Sequence, residues 1–150
     1  MLVAIDGTSG SGKSTIAKLV AARLDFSLLN TGLLYRMIAK YCIDYKINTE
    51  NEIDVIKIAN VIAYNTIHEN LHTEIISEVV PIIVKHEKVR SIVRNWQKEI
   101  VKDKKYIVEG RDIGSVVFPN ANIKFFINAT LEERAQRRFN QINDGNINIE

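Results

Sequence analysis

This sequence contains little cysteine and proline, and its net charge is small. A single cysteine, Cys42, excludes an internal disulfide and a cysteine-rich zinc site, and it suits a reducing compartment. The 20 basic and 18 acidic side chains leave a formal net charge of +2, which is too balanced for a protein that coats nucleic acid. No apolar run approaches the roughly 20 residues that span a bilayer, and no signal peptide is recognisable. We therefore expect a soluble, cytoplasmic protein without nucleic-acid or membrane partners.

Glycine is absent between Gly32 and Gly110, where apolar residues recur at helical spacing. This spacing predicts an all-helical insertion over about residues 37–101, between the second and third strands of a sheet. Pro81 is expected to kink or end one of these helices. The flanking segments 1–36 and 102–150 would form the core of a single domain, because a chain of 150 residues can bury one core.

The most informative stretch is a phosphate-binding loop that fits the pattern G-x-x-x-x-G-K-[ST]. With the threonine that follows, its residues are Gly7, Thr8, Ser9, Gly10, Ser11, Gly12, Lys13, Ser14 and Thr15. An apolar segment precedes the loop and a helical pattern follows it, which is the order that places phosphate at a helix N-terminus. Lys13 would reach the terminal phosphates of a nucleotide, and the Ser14 hydroxyl would be a ligand of Mg²⁺. A glycine-rich turn that matches by chance is the alternative interpretation.

Charged residues follow the predicted strands, at the edge where open α/β sheets bind ligands. Glu109 ends the third strand and could hold the Mg²⁺ shell. Arg111 and Asp112 stand between glycines, and they could present a cation and an acceptor to a ligand or form a local salt bridge. Arg36 follows the second strand and could grip a phosphate with two hydrogen bonds, or it could be a surface residue.

A last helix is predicted to begin at Thr130, because Thr130 and Glu133 have the spacing of a helix capping box. Arg134 and Arg138 are four residues apart on this helix, so their side chains point the same way. The pair could bind an anionic ligand, and a solvated basic face is the alternative interpretation.

Four motifs at their proper separations together resemble the cytidylate kinases. The first runs from Ile5-Asp6-Gly7 through the phosphate-binding loop, and the second is residues 30–36, N-T-G-L-L-Y-R. The third and most diagnostic is residues 110–119, G-R-D-I-G-S-V-V-F-P, and the fourth is residues 132–138, E-E-R-A-Q-R-R. The resemblance covers essentially the whole sequence. The given sequence does not include the lid segment R-D-x-x-D-x-x-R that the family carries beyond these motifs. We therefore expect the sequence to be either a fragment of a family member or a short member.

The resemblance implies a three-layer α/β fold of the P-loop NTPase type with a helical NMP-binding insertion. Parallel strands at 2–6, 26–30, 105–109 and 123–127 would take the spatial order 2-3-1-4, without the family's fifth strand. It also implies transfer of a phosphoryl group from ATP, with Mg²⁺, to CMP or dCMP by a monomeric enzyme. A kinase for another nucleoside monophosphate, and a nucleotide-binding module that has lost catalysis, are the alternatives.

The resemblance also assigns roles to individual residues. Residues 7–15 would bind ATP, with Arg134 over its base and Arg138 at its phosphates. The acceptor nucleotide would be held by Thr31, Tyr35, Arg36, Arg90, Arg111 and Asp112, of which Asp112 and Arg90 would read the cytosine ring. Catalysis would rest on the cations Lys13, Arg36, Arg111 and Arg138, since the acceptor phosphate needs no general base.

Overall fold

The computed structural model describes residues 1–62, 71–102 and 105–143. The helices and strands are β1 (Leu2–Gly7), α1 (Lys13–Leu24), β2 (Ser27–Asn30), α2 (Thr31–Asp44), α3 (Glu52–Val61), α4 (Glu74–Lys85), α5 (Glu87–Ile100), β3 (Tyr106–Gly110), β4 (Ile123–Ile127) and α6 (Leu131–Asn143). A single π-helical turn, Ile113–Val117, lies between β3 and β4.

The strands form one parallel sheet in the order β2-β3-β1-β4. This order confirms the predicted α/β fold, and the strand bounds agree with the predicted ones to within a residue. In the register of the sheet, Ile5 pairs with Glu109 on one side and with Phe125 on the other. The carboxyl ends of β1 and β3 therefore meet at one edge, where the phosphate-binding loop follows β1.

The chain divides into two compact units, residues 1–31 with 101–150 and residues 32–100. The core of the first unit lies between the sheet and α1, where Ala17 and Ala21 pack among Val3, Ile5 and Ile107. Small side chains on α1 allow the helix to approach the strands closely, and the apolar strand residues lose their contact with water there. The sheet and α1 thereby hold the phosphate-binding loop at both of its ends.

In the described part of the second unit the core is built from helices α2 to α5, as the helical spacing of the apolar residues predicts. The buried apolar residues are Leu34, Met37, Ile38, Ala39, Cys42, Val55, Ala59, Ile62, Leu71, Ile76, Ile83, Val89 and Val93. Burial raises the pKa of the Cys42 thiol to about 11, so the side chain remains a neutral, packed group at physiological pH.

Helix α4 continues through Pro81 to Lys85, so the predicted end of the helix at Pro81 is not observed. The helix begins with a cap, in which the Thr73 side chain accepts a hydrogen bond from the backbone N–H of Ile76. The buried Ile76 and Ile83 fix α4 in the core on either side of the proline. Tertiary packing therefore outweighs the helix-breaking tendency of proline at this position.

Within the described residues, no helix is both long enough and apolar enough to cross a membrane.

Candidate functional site

The phosphate-binding loop connects β1 to α1 and has the backbone conformation that its glycines permit. Gly10 and Gly12 have φ angles of 74° and 87°, in the left-handed region that other residues rarely adopt. Gly12 caps α1, and its carbonyl accepts a hydrogen bond of 3.1 Å from the backbone N–H of Ile16. The N–H groups of the first helical turn, which in any helix have no acceptor within the helix, lie at the end of the loop, as in an anion site.

Polar groups inside this loop are arranged for a ligand with many oxygen atoms. The Nζ of Lys13 lies 3.5 Å from the carbonyl oxygen of Thr8, so the lysine folds back along the loop. The hydroxyls of Thr8 and Ser11 are buried, and neither has a hydrogen-bond partner in the part of the chain that the structure describes. Buried hydroxyls need partners, and phosphate oxygens are well suited to supply them.

Ser14 and Glu109 join the loop to the neighbouring strand. The Ser14 hydroxyl donates a hydrogen bond of 2.8 Å to Oε2 of Glu109, whose residue is only 1% exposed. Both groups are oxygen donors of the kind that Mg²⁺ prefers, and they stand at the carboxyl end of the sheet. No group of three or more His, Cys, Asp or Glu side chains suited to a metal occurs among the described residues. A Mg²⁺ ion here would therefore depend on this pair and on nucleotide phosphates.

The Gly110–Gly114 segment follows β3 and contains Arg111 and Asp112. The Arg111 side chain is exposed and Asp112 is partly buried. The Asp112 carbonyl accepts hydrogen bonds of 2.9 and 3.2 Å from the N–H groups of Val116 and Val117, which form the π-helical turn. The segment is thus a structured loop at the same sheet edge as the phosphate-binding loop.

Asp6 fixes this segment, a role that the sequence analysis did not identify. Its carboxylate accepts hydrogen bonds of 2.6 Å from the N–H of Ile113 and 2.9 Å from the N–H of Gly114. These residues are more than 100 positions away in sequence, and their partner atoms are backbone groups. The one available signal was the presence of an acid directly before the first glycine of the loop.

Helix α6 begins with the predicted capping box. The Thr130 hydroxyl accepts a hydrogen bond of 3.2 Å from the N–H of Glu133, and the Glu133 carboxylate accepts one of 3.0 Å from the N–H of Thr130. This cap confirms the predicted start of the helix and sets the direction of the arginines that follow.

Two arginines of α6 lie against the phosphate-binding loop. Arg137, to which the sequence analysis gave no role, donates a hydrogen bond of 3.0 Å from Nη1 to the carbonyl of Gly10. The Cβ of Arg134 would lie 3.3 Å from a Cβ placed on Gly10, so its backbone passes close to the loop. The Nε of Arg134 is buried, and no hydrogen-bond partner for it occurs among the described residues. Arg138 is exposed on the same helix.

Thr31 stands at the junction of β2 and α2 and is 5% exposed. Its hydroxyl donates a hydrogen bond of 2.9 Å to the backbone carbonyl of Glu109. The hydroxyl proton is therefore used within the protein, and only the oxygen could still accept a bond from a ligand.

The remaining predicted residues, Tyr35, Arg36 and Arg90, belong to the second unit. Arg36 lies on α2, and its Nη1 donates to the carbonyl of Leu71 at 3.0 Å and to the hydroxyl of Ser77 at 3.1 Å. These bonds connect α2 to the start of α4 and hold the guanidinium in one orientation. Tyr35 precedes it on the same helix and is partly buried.

Arg90 lies in the first half of α5 and caps the helix before it. Its Nη1 donates to the carbonyls of Val84 and Lys85, at 2.6 and 3.3 Å, at the end of α4. Its Nη2 pairs with Glu87, which also forms an ion pair of 3.4 Å with Arg94. The guanidinium of Arg90 is thus held by backbone and carboxylate oxygens together.

The predicted site residues fall into two groups, one in each unit of the structure. Residues 7–15, Glu109, Arg134 and Arg137 are brought together within the first unit. Tyr35, Arg36 and Arg90 lie in the second unit, and each group is described within its own unit. The binding roles assigned to them individually remain predictions.

Comparison with known proteins identifies the family. The family model described as cytidylate kinase matches residues 3–150. A cytidylate kinase of Fusobacterium nucleatum subsp. nucleatum is 38% identical, with 99% of this chain and 73% of the relative covered. That of Clostridioides difficile is 37% identical, with 95% and 71% covered, and that of Mycoplasmopsis synoviae is 40% identical, with 93% and 70% covered. The match over nearly the whole chain shows that the chain belongs to the cytidylate kinase family.

Proposed function

We propose that this protein transfers the γ-phosphoryl group of ATP to CMP or dCMP, giving ADP and CDP or dCDP. The proposal rests on one observation above the others, the hydrogen bond between Ser14 and Glu109 beside a phosphate-binding loop with a lysine in place. This arrangement is suited to binding a nucleoside triphosphate. The acceptor is proposed from family membership, since the relatives are named cytidylate kinases.

ATP would occupy the phosphate-binding loop of the first unit. The hydroxyls of Thr8 and Ser11 and the N–H groups of the loop would meet phosphate oxygens, while Lys13 would neutralise charge on the transferred group. Ser14 and Glu109 would hold Mg²⁺, which supplies charge neutralisation and orientation of the phosphates when bound. Arg134 and Arg137 would line the same loop from α6, with Arg138 reaching toward the phosphates.

We propose roles in binding the acceptor nucleotide for residues of each unit, taken residue by residue. Arg36 and Arg111 would hold its phosphate, with Tyr35 and Thr31 beside it, and Asp112 and Arg90 would read the base. Asp112 can accept a hydrogen bond from the amino group of cytosine, where uracil presents a carbonyl. Residues 37–101 are accordingly proposed as the NMP-binding insertion.

The proposed chemistry asks for positioning and charge, and not for a general base. The second pKa of a phosphate monoester is about 6, so the acceptor is largely a dianion at neutral pH. A dianion attacks only if the repulsion between the two phosphates is offset, which is the task of the cations Lys13, Arg36, Arg111 and Arg138. We further propose that the enzyme acts as a cytoplasmic monomer whose partners are these small nucleotides.

A comparison of four acceptors tests the proposal. The protein is incubated with Mg-ATP and, in parallel, CMP, dCMP, UMP or AMP, and formation of each diphosphate is measured. We expect turnover that favours CMP and dCMP. A preference for AMP or UMP would identify a kinase for another nucleotide, and binding of CMP without turnover would identify a catalytically incomplete nucleotide-binding fragment.

A further inference from the structure

Asp6 connects the phosphate-binding loop, which it precedes in sequence, to the Gly110–Gly114 segment, with which its buried carboxylate forms hydrogen bonds. Asp6 is the last residue before Gly7, the first glycine of the loop, and its residue is 9% exposed. In the register of the sheet it pairs with Gly110 across β1 and β3. Its side chain accepts hydrogen bonds from Ile113 and Gly114 beyond that pairing.

Arg111 and Asp112 are consequently held from both sides by one residue. On their N-terminal side, Gly110 is the register partner of Asp6 in the parallel pairing of β1 with β3. On their C-terminal side, the N–H groups of Ile113 and Gly114 are fixed to the carboxylate of Asp6, at 2.6 and 2.9 Å. Two residues between two anchored points have little backbone freedom, so the points from which their side chains extend are largely set.

A carboxylate is well suited to this task. It offers two oxygens, so each of the two adjacent N–H groups has its own acceptor, and hydrogen bonds to an ionised acceptor are the stronger kind. An amide of the same shape has one carbonyl oxygen and would turn a donor toward the other N–H group. A change from Asp6 to Asn therefore weakens the anchor without changing side-chain size.

We infer that Asp6 is a positioning residue for acceptor recognition, which orients Arg111 and Asp112 through the backbone of Ile113 and Gly114. This inference rests on the proposed function, because it assigns Arg111 and Asp112 to the acceptor nucleotide. Asp6 itself touches neither nucleotide in this account. Asp6 lies directly before Gly7, but its carboxylate bonds to the Gly110–Gly114 segment, so its loss should affect acceptor recognition more than ATP binding.

The test compares steady-state kinetics of the wild type and Asp6→Asn, with Asp25→Asn as the matched control. Asp25 is exposed in the same unit and has a φ of 54°, which asparagine tolerates, so this control makes the same chemical change without an anchoring role. We expect Asp6→Asn to raise KM for CMP roughly tenfold and to reduce the preference for CMP over UMP, as the loss of about one charge-assisted hydrogen bond would do. KM for ATP should change less than about twofold.

Hydrogen exchange of the amides of Ile113 and Gly114 provides a second measurement that needs no activity. We expect both amides to exchange slowly in the wild type and at least one to exchange faster in Asp6→Asn, with unchanged circular dichroism. If the wild type does not phosphorylate CMP, the proposed function is wrong, regardless of the exchange rates of the two amides. If the wild type is active, equal rises in KM for ATP and CMP, or unchanged kinetics and exchange in Asp6→Asn, would overturn the positioning role.

Discussion

The Ser14 hydroxyl and the Glu109 carboxylate meet at 2.8 Å, although 95 residues separate them in sequence. The parallel pairing of β1 with β3 brings them together, because it places the carboxyl end of β3 beside the start of α1. Glu109 is 1% exposed, and a buried carboxylate costs free energy unless it is hydrogen-bonded or paired with a cation. A Mg²⁺ ion held by this pair would add such a pairing.

Replacement of Glu109 by Gln should therefore lower kcat by about 100-fold or more, because a neutral amide cannot offset the charge of a metal ion. KM for CMP should stay within about twofold of the wild type, since the proposed acceptor site does not include this side chain. Turnover would be measured with Mg-ATP and CMP over a range of Mg²⁺ concentrations.

Glu99→Gln is the matched control for that experiment, because Glu99 is an exposed carboxylate on α5. It should retain wild-type kinetics. Turnover of Glu109→Gln at more than half the wild-type rate would mean that Glu109 does not take part in metal binding.

Arg137 contacts the phosphate-binding loop through the carbonyl of Gly10. Arg137→Met keeps most of the aliphatic chain and removes this bond, so KM for ATP should rise about fivefold, the equivalent of one hydrogen bond of about 1 kcal/mol. The kcat should change little, because the bond is made before and during transfer alike. ATP and CMP would be varied separately in the kinetic assay.

Arg138→Met is predicted to behave differently, with a loss of kcat that exceeds any change in KM for ATP. Arg23→Met, on the exposed last turn of α1, serves as the control for charge removal. Identical kinetic changes in Arg137→Met and Arg138→Met would contradict the assignment of Arg137 to support of the loop and of Arg138 to phosphoryl transfer.

Cys42 should resist alkylation in the folded protein. Burial raises the pKa of its thiol from 9.0 to about 11, and only the thiolate reacts with iodoacetamide. Two pKa units correspond to about 100-fold less thiolate at pH 8, so alkylation should be at least that much slower than in the urea-unfolded chain. Mass spectrometry after timed quenching measures both rates. Equal rates in buffer and in urea would contradict the packed core of the helical unit.

Sequence reasoning worked best where a short pattern fixes the local structure. The phosphate-binding loop implies its own strand and helix, and the capping box at Thr130 and Glu133 implies a helix start. The position of Glu109 at the edge of the sheet was predictable because a strand end is recognisable and parallel strands end at one edge.

The sequence was less informative where the partner is a backbone group or where packing decides. The role of Asp6 depends on two N–H groups more than 100 residues away, which have no side-chain signal. The choice of Arg137 as a contact of the loop depends on the rotation of α6, which the spacing of three arginines leaves open. Of the two predicted effects of Pro81, a kink or an end of the helix, the end is not observed, because the buried Ile76 and Ile83 hold α4 on both sides of the proline.

Transfer of phosphate from ATP to CMP is the most direct test of the account, with both products quantified by ion-exchange chromatography. The wild type and the control Lys18→Ala, on an exposed position of α1, should produce CDP and ADP in equal amounts. Lys13→Ala should fold and lose transfer by about 1,000-fold, because the lysine neutralises charge that develops in the transition state. ADP formation without CDP, or transfer at the wild-type rate by Lys13→Ala, would contradict the proposed function of this site.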